Sequence, residues 1–244
     1  MARFGKWGGT ALLARWTTDW DCKEETKFWY VIKDTPFDIS SLKAKRRYEI
    51  NKGRKNFEVK KISPVEYVDQ LLKVTKEAYQ SWPEKYRSHI DDADFRNTIN
   101  SLESCDVFAA FYKEASTLSG YAQLYDRGSF VEFSVLRVNP ECEHLGVNAA
   151  IVDGILDYYK DRFDGDFYIN DGSRAIRHET SFQDYLEKYF EFRKAYCRLE
   201  IKYRLLVGAI IQILYPIRKH INAESGIGSQ VSGILRMEEI RRFG

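Results

Sequence analysis

The sequence predicts an α/β protein of the α+β kind: a mixed, mostly antiparallel central sheet flanked by helices, with an N-terminal strand–helix extension and a C-terminal helix. Three observations carry this. Strand-like and helix-like patterns alternate from residue 28 onward. Three strand-like runs then follow one another at 107–113, 118–126 and 130–138, with gaps short enough for antiparallel hairpins. Finally, in "VEFSVLRVNPECEHLGVNAAIVDGILDYY" (131–159), a strand pattern ends in Asn-Pro, passes one glycine among small residues and turns directly into a helix pattern.

Taken in order, "FWYVIK" (28–33) is aromatic and β-branched, as a strand requires. Asp38 or Ser40 is placed to cap a basic helix over 42–55 that stops at Asn56. "FEVKKI" (57–62) reads as a short strand. Ser63, Pro64 and Glu66 then supply an N-cap, a first-turn proline and a capping-box carboxylate for a helix through Tyr79. Residues 91–102 set Phe95, Ile99 and Leu102 at helical spacing. After the three strands come a turn, a helix over 147–160, a strand in "DFYIND", a helix over 182–190 and a last strand in "AYCRLEIKY" (195–203). No repeat of 20 to 50 residues is apparent.

Composition narrows the function classes. The chain has 244 residues, 44% hydrophobic and 30% charged, enough to bury a sizeable core. Its formal charge of +2 implies no general preference for nucleic acid or for acidic partners, so any such preference is local. Cys22, Cys105, Cys142 and Cys197 form no C-x-x-C pair, and His89, His144, His178 and His220 no metal-ligand spacing. The expectation is therefore no metal, and buried free thiols. The first residues lack the apolar run of a signal peptide, which makes a cytoplasmic protein the expectation.

The order strand, two helices, three strands, helix, strand, helix, strand resembles the GNAT (GCN5-related) N-acyltransferase fold over about residues 57–203. In that family a strand ends near Val-x-Pro and enters an Arg/Gln-x-x-Gly-x-Gly/Ala loop, whose backbone amides hold the pyrophosphate of an acyl-coenzyme A. Here Val138-Asn139-Pro140 is followed by Glu143-His144-Leu145-Gly146-Val147-Asn148-Ala149. Glu143 stands where Arg or Gln is usual, and Asn148 where Gly or Ala is usual. "YLEKYFEFRKAY" (185–196) is similar to the family's Tyr-x-Lys-x-Gly-Phe segment: Phe192 matches its phenylalanine, Lys188 lies near its lysine and Glu191 takes the glycine position. In residues 40–62, Arg47, Ile50, Lys52 and Gly53 match the Arg-x-x-Ile-x-Lys-Gly pattern of FemAB-like proteins, of which this chain resembles a single-domain relative.

The resemblance implies an N-terminal extension over 1–56, an acyltransferase domain over 57–204 and a C-terminal apolar helix and tail over 205–244. It implies acetyl-CoA or another acyl-CoA as co-substrate, bound by Leu136, Val138, His144, Gly146, Val147, Asn148 and Ala149. Acyl transfer to an amine needs a base in the cleft and an acid for the departing thiolate. The candidates are Glu132 and His178 as bases and Tyr185 as the acid, with Asn170, Asp171, Arg174 and Gln183 lining an acceptor pocket. Strict alternation places Val131, Phe133 and Val135 on the apolar side of their strand and Glu132 on the polar side. The alternatives for Glu132 and His178 are a solvated surface carboxylate and a solvated loop imidazole.

Two segments widen the choice. Residues 43–61 carry nine Lys or Arg against Glu49 and Glu58, a density that attracts phosphates or simply makes a solvated face. "LLVGAIIQILY" (205–215) is about half the ~20 residues that span a bilayer. It reads as a buried helix or, with Arg218 and Lys219 beside it, as an interfacial helix giving peripheral membrane contact through 205–220, which would put the protein at the inner face of the membrane. The favoured acceptor is a small-molecule or lipid-linked amine, such as an amino sugar or envelope precursor. The other readings are a non-catalytic binding module and an aminoacyl-tRNA-dependent transferase, the latter a minority reading because nucleic acid is an unlikely partner. Trp7, Trp16 and Trp20 are expected to pack on the core or edge the acceptor cleft.

Overall fold

In the computed structural model the described residues are 11–82, 84, 87, 89–176, 181–221 and 226–243, the side chains of 226 and 227 excepted. In chain order the elements are β1 (Leu13–Thr18), β2 (Phe28–Lys33), α1 (Ala44–Asn56), β3 (Phe57–Ile62), α2 (Val68–Gln80), α3 (Asp92–Asn100), β4 (Cys105–Tyr112), β5 (Thr117–Asp126), β6 (Phe130–Val138), α4 (Val147–Tyr158), β7 (Tyr168–Ser173), α5 (Ser181–Phe190), β8 (Arg193–Tyr203), α6 (Leu205–Leu214) and α7 (Gly226–Phe243). They divide into two compact units: Met1–Val31, Ser173–Ser181 and Lys194–Gly244 in the first, Ile32–Gly172 and Phe182–Arg193 in the second.

The second unit is a mixed sheet in the order β7-β6-β5-β4-β3, with every pair antiparallel except β6 with β7. Each face is covered because each presents apolar side chains. Val107, Ala109 and Tyr121 meet Leu71 and Val74 of α2 and Ile99 of α3. Tyr121 is almost wholly buried, and its hydroxyl is satisfied by Thr75 Oγ1 at 2.7 Å. On the opposite face lies α4, buried nearly all round through Val147, Ala150, Ile151, Val152 and Ile155.

Helix α1 is charged on most sides and buries only Ile50 and Gly53. It is held against α4 by Arg54, whose Nε and Nη2 donate to the two oxygens of the nearly buried Asp153 at 2.7 Å each. Asn56 adds a bond from Nδ2 to the Leu145 carbonyl at 3.0 Å.

In the first unit β1, β8 and β2 follow in that order, with β1 antiparallel to β8 from Leu13↔Tyr203 to Thr18↔Arg198. Phe28, Cys197, Leu199, Ile201 and Ile240 make its core. A second cluster joins Ile211 and Tyr215 to Leu235 of α7. Glu238 on α7 accepts from Arg241, Arg242 and Tyr203. Burial alone would raise its pKa, but these bonds hold it down to about 2. Trp20 packs on Tyr30 with ring centroids 5.0 Å apart, while Trp7 lies outside the described residues.

The structure corrects three expectations. Asp38 caps a short 3-10 turn by accepting from Ser40 N, so α1 begins at Ala44, after Lys43 as an N-cap that makes no side-chain bond. Ser63 likewise makes no capping bond, and a 3-10 turn over Pro64–Tyr67 precedes α2. All four thiols are free, but only Cys197 is buried. Strand β1 and helix α7 are elements that the sequence reading did not contain.

Candidate active site

The feature that opens the second unit is the behaviour of β6. It pairs with β7 only at Phe130↔Tyr168, Val131↔Ile169 and Glu132↔Asn170, although β6 runs on to Val138. Beyond Glu132 the two parallel strands part. The β7-facing backbone edge of β6 thus lacks ladder partners in β7 from Phe133 onward, leaving a row of N–H and C=O groups that β7 does not pair. At the same place the pairing with β5 slips: Leu124 pairs with Phe133 and Gln123 with Val135, leaving Ser134 as the extra residue of a β-bulge.

The bulge also changes which side chains share a face. Cross-strand partners lie on one face, so Leu136, opposite Ala122, joins Val131 and Phe133 on the α4 side. Val135 and Arg137 move to the side of Glu132, which overturns the strict alternation expected for Val135. The four-strand antiparallel order, the single parallel partner and the parting with its bulge reproduce the architecture that the element order resembles. The fold is GNAT-like.

No protein-family profile and no curated protein sequence matches the chain. Among solved structures, L-PGS from Bacillus licheniformis is similar at a TM-score of 0.51 and 13% identity, covering 83% of this chain and 66% of that one. A GCN5-related N-acetyltransferase-like protein from Streptococcus suis gives 0.40 and 13%, over 79% of this chain and 63% of that one. The PaiA N-acetyltransferase from Thermoplasma acidophilum, in complex with coenzyme A, gives 0.35 and 22%, over 43% and 73%. The chain thus spans just under two thirds of the length of L-PGS. At such identities the likeness is one of fold.

The GNAT-like strand-to-helix joint runs from Val138 through Asn139, whose side chain accepts from Glu141 N, and a 3-10 turn over Pro140–Leu145. Gly146 caps α4 with φ +88°. Its carbonyl approaches Gly53 so closely that a Cβ on Gly53 would lie 2.7 Å from it, and a Cβ on Gly146 would lie 3.0 Å from Gly53 N. Positive φ and backbone contact with α1 together account for this glycine without a ligand. Val147 and Ala149 are buried, Asn148 is half-buried, and Glu143 and His144 are exposed. The first-turn amides of α4 offer anion-stabilising N–H groups, and α1 borders them on the Gly53 side.

The predicted catalytic and acceptor residues fall into separate groups. Glu132 and Asn170 are parallel cross-strand partners; Asn170 is buried and its Oδ1 accepts from Gly172 N. Asp171, the next residue, is hydrogen-bonded by Gln183 of α5. Burial pushes its carboxyl up to about 7 against the opposing effect of that bond. Tyr185 sits among Phe182, Tyr189 and Phe190, at centroid distances of 6.2, 4.9 and 5.7 Å. Burial, then Tyr189 and Glu49, raise its pKa and keep its phenol protonated. Phe182 also meets Phe133 of β6 edge-on at 6.1 Å. Arg174 belongs to the first unit, where its guanidinium lies 4.5 Å from the Trp29 ring centroid. His178 lies outside the described residues.

One further feature escaped sequence reasoning. Arg137, just past the bulge, packs against the adjacent rings of Tyr79 and Trp82, whose centroids lie 5.2 and 5.0 Å from the guanidinium carbon and 4.6 Å from each other. Its Nε is buried and has no hydrogen-bond partner among the described residues. Glu191 adopts φ +58°, a left-handed residue at the position where the GNAT segment has glycine, and accepts from Ser41 Oγ at 2.6 Å. Among the described residues no group of three or more His, Cys, Asp or Glu is arranged to hold a metal.

Proposed function

We propose that the second unit is an acyltransferase that moves an acyl group from an acyl-coenzyme A to an amine. The observation that carries this is the parting of β6 from β7 after Glu132↔Asn170, with the bulge at Ser134. An unpaired strand edge inside a sheet fits the amide-rich arm of an acyl thioester, and its N–H groups can polarise the thioester carbonyl. Asp171 supplies the base: a half-buried carboxyl that titrates near neutrality takes a proton from an attacking amine and remains stable afterwards. Tyr185 supplies a proton to the departing sulfur. A C–N bond thereby replaces the C–S bond, with the amine proton on Asp171 and the sulfur protonated. Amino sugars and lipid-linked envelope amines are the acceptors to screen.

A second reading, favoured by α1, keeps the same cleft chemistry with an aminoacyl-tRNA ester as donor. Lys43, Lys45 and Lys55 are exposed on or beside α1 and have no ion-pair partner among the described residues. The test is turnover and thermal stabilisation with acetyl-CoA, followed across an amine panel. Asp171→Asn is expected to lower turnover by about 10²–10⁴-fold without removing the stabilisation. Full activity in Asp171→Asn sinks the assigned base. Turnover with aminoacyl-tRNA alone, falling steeply with salt, moves the donor to the second reading.

A further inference from the structure

Helix α6 and the 3-10 turn that follows, Tyr215–His220, present an apolar face that the first unit leaves uncovered. Val207, Ile211, Leu214 and Tyr215 turn inward onto Val231, Ile234 and Leu235 of α7. Leu205, Leu206, Ile210, Ile213 and Ile217 turn outward, exposed by 88%, 78%, 53%, 72% and 51%. Spacings of four, three and four residues from 206 to 217 put the last four on one side of a single helical path. The stripe is about 18 Å long at 1.5 Å per residue, too short to cross a bilayer and long enough to lie along one. No helix among the described residues is long and apolar enough to cross a membrane.

The charge around the stripe distinguishes its partner. From Lys202 to Ile221 the chain contains no carboxylate, while Lys202 and Arg204 stand at one end and Arg218, Lys219 and His220 at the other. Arg218 is turned inward onto the Tyr215 ring and Glu239, but Arg204 and Lys219 are exposed. An apolar strip bounded at both ends by exposed cations and carrying no acid of its own matches the acyl–headgroup boundary of an anionic leaflet. A protein partner or a second copy would not call for the exclusion of carboxylates.

We infer that α6 and its following turn form an interfacial anchor that lays the first unit on anionic lipid, with Leu206, Ile210, Ile213 and Ile217 entering the acyl boundary and Arg204 and Lys219 meeting headgroup phosphates. This anchor is independent of the acyl-transfer reading.

The test is co-sedimentation of the full chain with sucrose-loaded phosphatidylcholine vesicles, with and without 30% phosphatidylglycerol, a content on the order of that in anionic leaflets. Binding is expected with the anionic vesicles and is weakened by salt. Ile210→Glu and Ile213→Glu each lower it about tenfold, because each replaces a side chain that enters the apolar layer. Lys219→Ala lowers it about fivefold. These positions are exposed, so circular dichroism and the melting temperature of the variants are expected to match the wild type, separating lost anchoring from lost folding. Absence of sedimentation with either vesicle overturns the inference. So does concentration-dependent dimerisation abolished by Ile213→Glu, which would assign the stripe to a second copy.

Discussion

Helices α4 and α6 are both apolar almost all round, yet they end in opposite surroundings. Helix α4 is sealed: the sheet covers one side through Val59, Gly120 and Val138, and α1 covers another through Gly53. Val147, Ile151, Val152 and Ile155 have no exposed surface. Helix α6 is covered chiefly by α7, and four of its six isoleucines and leucines face outward. The apolar content of a helix therefore does not decide its burial; the number of elements that pack on it does. A sealed helix can position a site to fractions of an ångström, whereas a half-covered one is available to bind.

The comparison can be broken by paired truncations. Ile151→Ala in α4 removes a fully buried side chain and is expected to cost about 2–5 kcal/mol, while Ile213→Ala in α6 stays within about 0.5 kcal/mol. Denaturant unfolding of the two variants measures this, and equal losses would mean that α6 is sealed in solution. A smaller effect, about 1–3 kcal/mol, is expected from Gly53→Ala, whose Cβ would sit 2.7 Å from the Gly146 carbonyl oxygen and 2.9 Å from Ala150 N. If Gly53→Ala melts like the wild type, the α1–α4 joint is looser than its backbone contacts indicate.

A further test concerns pH. The Asp171 carboxyl has a pKa near 7 in the folded chain, well above its ordinary value of 3.8, so the folded state holds its proton more tightly than the unfolded chain does. Its contribution to stability is fully present below about pH 4 and is lost as pH rises through 7. Asp171→Asn is expected to flatten the fall in melting temperature over that window and to leave the variant more stable than the wild type above it. An unchanged pH profile would place Asp171 in water.

Much of the architecture was legible because local chemistry announces it. The bounds of β2, β3 and β6 follow from aromatic and β-branched runs between turn residues, and α4 from small residues after Asn-Pro. Helix α7 was not legible: Gly226, Gly228 and Gly233 break any apolar stripe, and the helix is held instead by tertiary contacts of Leu235, Ile240 and Glu238. Strand β1 was hidden for a related reason, since "LARWTT" lacks clean alternation and is ordered by its ladder with β8. Of the site, Asp171, Gln183 and Tyr185 could be nominated from their segments, but not their grouping. Arg137 gave no signal, because only folding sets it against Tyr79 and Trp82.

By itself the sequence determined the order of strands and helices from β2 to α6, the small-residue joint at Gly146 and the two segments of unusual character, basic at α1 and apolar at α6. These are short-range properties, set by backbone preference and side-chain periodicity within a few residues. The tertiary structure alone decided the bulge at Ser134, the parting of β6 from β7, the backbone contact of Gly53 with Gly146, the neutral-range titration of Asp171 and the outward face of α6. Each depends on which distant segments meet and on how much water they exclude, and neither quantity is written in any local stretch of the chain.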